Sequence, residues 1–172
     1  SVEADNGGTI IQATGVTTGR WKRLHDSVFF VPWFGTKGDG VTDDTAAIVA
    51  ADAAAALLGA SGVDLMFPAG TYNWLGSITP SAGVNWISFG QSQFSAKLKA
   101  IDSTSQIHMI NQMSFKSFNV EGSNTTPGSY VGTGVYLRAS LSNVEGCMIR
   151  FFQTGLRFAG GFWQVVRECR TE

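Results

Sequence analysis

The sequence has 172 residues, enough for one domain with a hydrophobic core, and its 12 Lys and Arg against 13 Asp and Glu leave a formal net charge of −1. Only 15% of residues are charged, against about 25% in a usual soluble domain, and the clustered Lys and Arg that nucleic-acid binding needs are absent, so no nucleic-acid partner is expected. The longest apolar stretch, 46–60, is alanine-rich and interrupted by Asp52, too short and too weakly hydrophobic for membrane insertion.

The chain starts at Ser1 with no initiator Met and no signal-peptide pattern, as expected of a piece cut from a longer protein. Cys147 and Cys169 are too few for a disulfide framework and read as free thiols of a protein folded in a reducing compartment. The 21 glycines against 4 prolines point to many tight turns between short strands.

Residues 1–20 are polar with scattered Gly and Thr and are expected to form short strands or an arm. In WKRLHDSVFFVPWFG, residues 21–35, SVFFV reads as a strand that Pro32 closes. In FGTKGDGVTDDTA, residues 34–46, Gly35, Gly38 and Gly40 supply turns of positive φ. Thr42, Asp43 or Asp44 is placed to cap a helix, and acidic side chains suit the positive end of its dipole. The alanine content predicts that helix over 44–58, with Ile48, Ala51, Ala55 and Leu58 as one buried stripe and Gly59 or Gly62 ending it.

A phosphate-binding reading of GTKGDG lacks the Gly-Lys-Ser/Thr that opens a P-loop helix, and the aspartates would repel an anion. Calcium at Asp39, Asp43 and Asp44 lacks the spacing of a calcium loop. The loop is therefore expected to start a fold, with no metal and no cofactor.

After the helix an apolar-x-apolar core returns five times, at Val63, Val84, Ile107, Val135 and Leu156, spaced 21, 23, 28 and 21 residues apart. In the last three segments Met113, Leu141 and Phe162 follow six positions on, and Val120, Met148 and Cys169 seven positions after those. A period in the low twenties without a helical pattern points to a solenoid of short strands, and the leucine-rich signature is missing. The fold class expected is all-β: a parallel β-helix whose inward residues, Val63, Val84, Ile107, Val135 and Leu156, stack in one column about 4.8 Å apart. The Ala-rich helix would cap the open first coil, which otherwise presents raw apolar surface and unpaired strand edges. EGSNTTPGSYVGTG, residues 121–134, should project as a corner loop. The organisation expected is an arm over 1–33, turn and capping helix over 34–62, and first coils over 63–172.

FGTKGDGVTDDTAAIVAADAA with LMFPAGTYNW, residues 34–74, closely resembles the opening of the right-handed β-helix of the pectate-lyase-like superfamily. GRWKRLHDSVFFVPWFG ahead of it resembles the region before the β-helix of bacteriophage tailspikes and capsule depolymerases. The resemblance implies a homotrimeric protein of the virion tail, assembled in the bacterial cytoplasm with other tail or baseplate proteins, whose β-helix binds and usually cleaves a bacterial surface polysaccharide. The shared motif fixes the fold and not the reaction.

Hydrolysis needs two carboxylates about 5–5.5 Å apart for retention or about 6.5–9.5 Å for inversion. Glu145, four positions after Leu141, and Glu168, six after Phe162, are the candidate catalytic pair if they share a face of adjacent coils; solvated surface glutamates are the alternative. Asp64 and Asp102 are no better placed. Lyase chemistry would need a base with a cation or calcium, for which Arg138, Arg150, Arg157, Arg167 and Arg170 are available; solvated coil-face arginines are the alternative. His25 and His108 stand apart from any nucleophilic triad, and His108 falls at an outward strand position. Trp86, Trp163 and Tyr136 could stack on sugars, with core or interface packing the expected alternative for each, and Trp33 and Trp74 fit core or trimer contacts. A capped stack of about five coils at ~4.8 Å each, without a distal cap, is expected to be the first part of a longer β-helix, and the resemblance, whose members usually cleave on later coils, implies a cleavage site beyond Glu172. Three functions follow: part of a tailspike depolymerase, a secreted polysaccharide lyase or hydrolase, or a non-catalytic attachment module.

Overall fold

The computed structural model describes residues 4–15, 17–58, 62–90, 94–110, 113–138, 142–160 and 164–171. The arm contains β1 (Ile10–Ile11) paired antiparallel with β2 (Trp21–Lys22). The side-chain oxygen of Asn6 accepts the backbone N–H of Gly8, Thr9 and Ile10 at 3.1, 2.9 and 2.9 Å. The arm is tied to the body where the Arg23 guanidinium lies 4.5 Å from the Trp33 ring centroid. Gly8 is required there, since a Cβ would fall 2.5 Å from the Phe34 ring.

The strand expected over SVFFV is shorter, β3 (Val28–Phe30), because Val31–Phe34 wind into a 3₁₀ turn with Pro32 in its first positions. β4 (Asp39–Asp43) leads to α1 (Thr45–Ala56). Asp44 holds the cap position, but its side chain does not cap the helix. The buried carboxylate instead accepts the N–H of Lys37 at 2.6 Å and of Gly38 at 3.1 Å, closing the glycine loop on itself. The N–H of Thr45 goes to Asp43. Ile48, Ala51 and Ala55 are buried as expected, joined by Ala54 and Asp52. Leu58 is not part of that stripe: the helix ends at Ala56, two residues before it, and Leu58 is 42% exposed. Gly62 follows the helix at φ 95°, and Gly59 lies outside the described residues.

The body is a stack of parallel coils with three sheets. The second coil is β5 (Val63–Pro68), β6 (Gly70–Trp74) and β7 (Ser77–Ile78). The third is β8 (Val84–Phe89), β9 (Ala96–Ala100) and β10 (Gln106–Met109). The fourth is β11 (Ser114–Lys116), β12 (Asn119–Glu121) and β13 (Thr133–Leu137). The fifth is β14 (Asn143–Glu145), β15 (Met148–Arg150) and β16 (Thr154–Phe158), followed by β17 (Val165–Arg167) and β18 (Arg170–Thr171). Sheet I stacks β3, β5, β8, β11, β14 and β17; sheet II stacks β4, β6, β9, β12, β15 and β18; sheet III stacks β7, β10, β13 and β16. The ladder therefore begins at Val28, ahead of the Val63 start expected for the coils.

The architecture is the right-handed parallel β-helix expected, with α1 standing where the first coil would carry its sheet III strand. Its buried face covers Phe29 and the apolar cross-section below.

The single column of starts is not observed. Val63 faces Val84 on sheet I, whereas Ile107, Val135 and Leu156 stack with Ile78 on sheet III. The apolar-x-apolar triplet marks inward alternation, which every sheet shares, and does not say which side of the coil carries it. The later offsets also slip by one. Val120 faces Ile149, and Met148 faces Asn119 and Arg170. The step between coils is 28 residues on sheet III (Ile107 to Val135) but 29 on sheets I and II (Ser114 to Asn143, Asn119 to Met148), so the corner after Arg138 holds one more residue. Leu141 and Phe162 lie outside the described residues.

The core is aromatic. Phe67 packs on Trp86 and Phe118 with centroids 5.1 Å away in each case, and Phe115 stacks on Phe118 at 4.4 Å. Full burial of each such ring stabilises by roughly 1.5–3 kcal/mol. The short corner between sheets I and II is set by a left-handed residue in successive coils: Ser117 at φ 64°, Gly146 at 60° and Glu168 at 51°.

Candidate functional site

Alternation on sheet III turns Ile107, Met109, Val135 and Leu137 into the core and leaves Gln106, His108, Tyr136 and Arg157 on the outer face. His108, Tyr136 and Arg157 are direct neighbours across three coils. The His108 and Tyr136 rings stack 4.7 Å apart at 20°, and the Arg157 guanidinium lies 5.2 Å from the Tyr136 centroid on the next coil. Arg138 follows two residues after Tyr136, and its charge, after burial as the larger cause, lowers the His108 pKa. The imidazole is accordingly neutral at pH 7. Its Nε2 is buried and has no hydrogen-bond partner among the described residues. Arg138 and Arg157 are exposed, and neither has a carboxylate partner among those residues. Gln106 donates to Ser77 Oγ at 3.0 Å at the upper end of the face. The result is a cationic face with donors and an ordered aromatic row, suited to hydroxyl and carboxylate groups of a chain-like ligand.

Beside this face, residues 122–132 leave the stack between sheets II and III, at the corner expected for the insertion. Gly122 donates to the Arg150 carbonyl at 3.0 Å, and a Cβ there would fall 1.9 Å from the Phe151 carbonyl oxygen. At the loop's foot the buried Glu121 carboxylate takes Lys97 Nζ at 2.9 Å and Arg150 Nε at 3.0 Å. Burial pushes its pKa up, but hydrogen bonds from Lys97 and Arg150 and their charges outweigh that and hold it below the usual range.

The carboxylates named from sequence lie away from sheet III. Glu145 is on sheet I, directly opposite Arg167, with Lys116 Nζ at 3.5 Å. Glu168 is the left-handed corner residue after β17. Asp64 accepts Asn85 at 3.0 Å, and Asp102 accepts Thr104 and Ser105 in its own corner, the Ser105 hydroxyl being the largest cause of its lowered pKa. The arginines are sorted by sheet: Arg167 on I, Arg150 and Arg170 on II, and Arg157 on III with Arg138 just after β13. Among the aromatic candidates, Trp86 is fully buried and cannot meet a sugar, and Trp74 is buried too. Tyr136 has both ring faces taken, by His108 and Arg157, and offers its edge and hydroxyl. Trp163 lies outside the described residues. His25 packs on Phe29 at 4.4 Å.

Sequence reasoning missed two buried acids, Glu121 and Asp52. Asp52 on α1 accepts Trp86 Nε1 at 2.7 Å and the Ser81 N–H at 2.9 Å. A lone carboxylate in an alanine run was the available signal, since such a break in a core helix needs a partner. Among the described residues no group of three or more His, Cys, Asp or Glu could hold a metal ion, and no helix is long and apolar enough to cross a membrane.

The family of rhamnogalacturonase A/epimerase, pectate-lyase-like proteins matches residues 29–145, and the chain belongs to it. No curated protein sequence matches the chain. Among solved structures, the tailspike protein gp49 of Acinetobacter baumannii bacteriophage Fri1, a capsular polysaccharide depolymerase, aligns with TM-score 0.80 at 16% identity, covering 98% of this chain and 35% of its own. ORF18 of Geobacillus virus E2 aligns with TM-score 0.58 at 25% identity, covering 73% of this chain and 26% of its own. The A-module of the mannuronan C-5 epimerase AlgE6 of Azotobacter vinelandii gives 0.60 at 19% identity, covering 83% and 41%. The chain thus spans between about a quarter and two fifths of the length of these structures.

Proposed function

We propose that the chain is the N-terminal β-helix part of a phage tailspike, a homotrimer of the virion tail, that binds a bacterial surface polysaccharide and, as a whole protein, depolymerises it. The observation that carries this reading is the sheet III face, where His108, Tyr136 and Arg157 form one row beside Arg138. The likeness to gp49 in fold, and the family membership, support it. Two cations without carboxylate partners among the described residues favour an anionic polysaccharide, one bearing uronate or another acidic group. Exposed Trp21, Leu24 and Leu57 near the capped end offer apolar surface for assembly with other copies or tail proteins.

Bond cleavage is assigned to the whole protein and not to Glu145 or Glu168. Titrating this chain with acidic and neutral bacterial polysaccharides tests the binding. Saturable binding of the acidic ones, weakened at least about tenfold in an Arg138→Ala/Arg157→Ala variant, supports the reading. Equal binding of neutral polymers by both proteins, or no binding at all, refutes it. Product from the whole protein with Glu145→Gln and Glu168→Gln in place separates cleavage elsewhere from cleavage at this pair.

A further inference from the structure

Cys147 and Cys169 occupy the same corner position one coil apart. Each precedes its sheet II strand by one residue, and the N–H of Arg170 donates to the carbonyl of Cys147 at 2.9 Å. The sulfurs also make equivalent contacts. Cys147 Sγ reaches the carbonyls of Glu145 at 3.3 Å and Phe115 at 3.7 Å; Cys169 Sγ reaches those of Arg167 at 3.2 Å and Val144 at 3.6 Å. Glu145 and Arg167 face each other in the ladder, so the two thiols are copies of one arrangement shifted by one coil, about 4.8 Å. That spacing lies within the Cα separation of about 4.4–6.8 Å that a disulfide spans. The neighbouring Cys147 side chain lowers the Cys169 pKa to about 6, whereas burial pushes Cys147 well up. Cys169 is half-buried, on the wall of an open cavity of about 530 Å³ with Phe94, Glu168 and Arg170, while Cys147 is buried.

We propose that Cys147 and Cys169 are a modification site: a pair that closes into a disulfide between consecutive coils on exposure to a low-molecular-weight disulfide such as oxidised glutathione. The Cys169 thiolate attacks one sulfur of the oxidant, releasing one glutathione thiolate and leaving a mixed disulfide at Cys169. Cys147 then loses its proton and attacks Cys169 Sγ, displacing the second glutathione thiolate. The protein loses two electrons and two protons, and the oxidant becomes two molecules of glutathione. Each sulfur lies against backbone carbonyls and must turn from them to bond, and a dithiol reductant reopens the link.

The test is intact mass and thiol alkylation of the folded 172-residue chain after incubation with oxidised glutathione. The expected product is about 2 Da lighter, resists alkylation at both cysteines, joins the two cysteine peptides and reverts with dithiothreitol. Its thermal midpoint rises by roughly 5 °C, because the link closes a loop in the unfolded chain. Cys147→Ser stops at the mixed disulfide on Cys169. A wild-type chain that also stops there, or that keeps both thiols open to alkylation, overturns the proposal. The outcome is independent of polysaccharide binding.

Discussion

The carboxylate of Asp52, on the capping helix, accepts the indole N–H of Trp86 at 2.7 Å, 34 residues further along the chain and one coil below the first strand after the helix. The same carboxylate accepts the Ser81 N–H, so one acid ties the cap to two points of the stack. Its burial raises its pKa, the hydrogen bonds from Ser81 and Trp86 opposing but not cancelling the effect.

Asp52→Ala leaves two donors unpaired and should cost about 2–4 kcal/mol. Asp52→Asn keeps an acceptor and should cost less. The pH sign follows from the raised pKa. The folded state binds the proton more tightly than the unfolded one, so this group's stabilisation is complete below the unfolded value, about 3.9, and is lost as pH rises through the folded value. Denaturant titrations across acid pH should show that falling slope in the wild type and its absence in Asp52→Asn. An identical pH dependence in both proteins counts against the assignment.

Glu121 has the opposite sign. Its folded pKa lies below the ordinary value, so its contribution is present above the unfolded pKa and disappears as pH falls through the folded one. Glu121→Gln leaves Lys97 and Arg150 without their counter-charge and should cost about 1–3 kcal/mol at pH 7. Urea unfolding at pH 7 and again at pH 3 checks it, with the gap between variant and wild type closing at the lower pH.

At the sheet III face, burial first and Arg138 second lower the His108 pKa. Arg138→Ala should therefore raise it toward the ordinary value, as read by NMR titration of the imidazole. A depressed histidine contributes stability above its unfolded pKa that is lost as pH falls through the folded one. No movement of the His108 titration in the variant would place Arg138 too far away to act.

Glu168 sits at φ 51° on an exposed corner, a conformation that Gly146 occupies one coil earlier. Glu168→Gly should gain up to about 0.5–1 kcal/mol by relieving the left-handed strain, less the entropy glycine adds to the unfolded chain. Gly146→Ala should lose about 1 kcal/mol in the same comparison. Thermal midpoints of the two variants moving in opposite directions is the expected result.

How much of this was legible in the chain depended on whether a feature was local. The glycine loop, the alanine helix and the inward alternation of VDLMF or VYL are written in consecutive residues. The alignment of Ile107, Val135 and Leu156 was correct, and it puts His108, Tyr136 and Arg157 at one offset. What that offset cannot state is that the rings and the guanidinium stack. The false column through Val63 and Val84 arose because sheets I and III share one apolar alternation. Asp52 and Glu121 were opaque for another reason: each is buried by partners about 30 residues away, Trp86 in one case and Arg150 in the other.

Gly122 and Gly132 mark the two ends of the excursion between sheets II and III. The Gly122 N–H is bonded to the next coil, and a Cβ on Gly132 would fall 2.7 Å from the Ser103 carbonyl oxygen of the preceding one. With both feet fixed to neighbouring turns of the solenoid, the span between them bears no weight of the stack. Lengthening it or exchanging it for a foreign segment leaves the coils in register, which makes this corner a place where the surface beside sheet III can vary without rebuilding the coils.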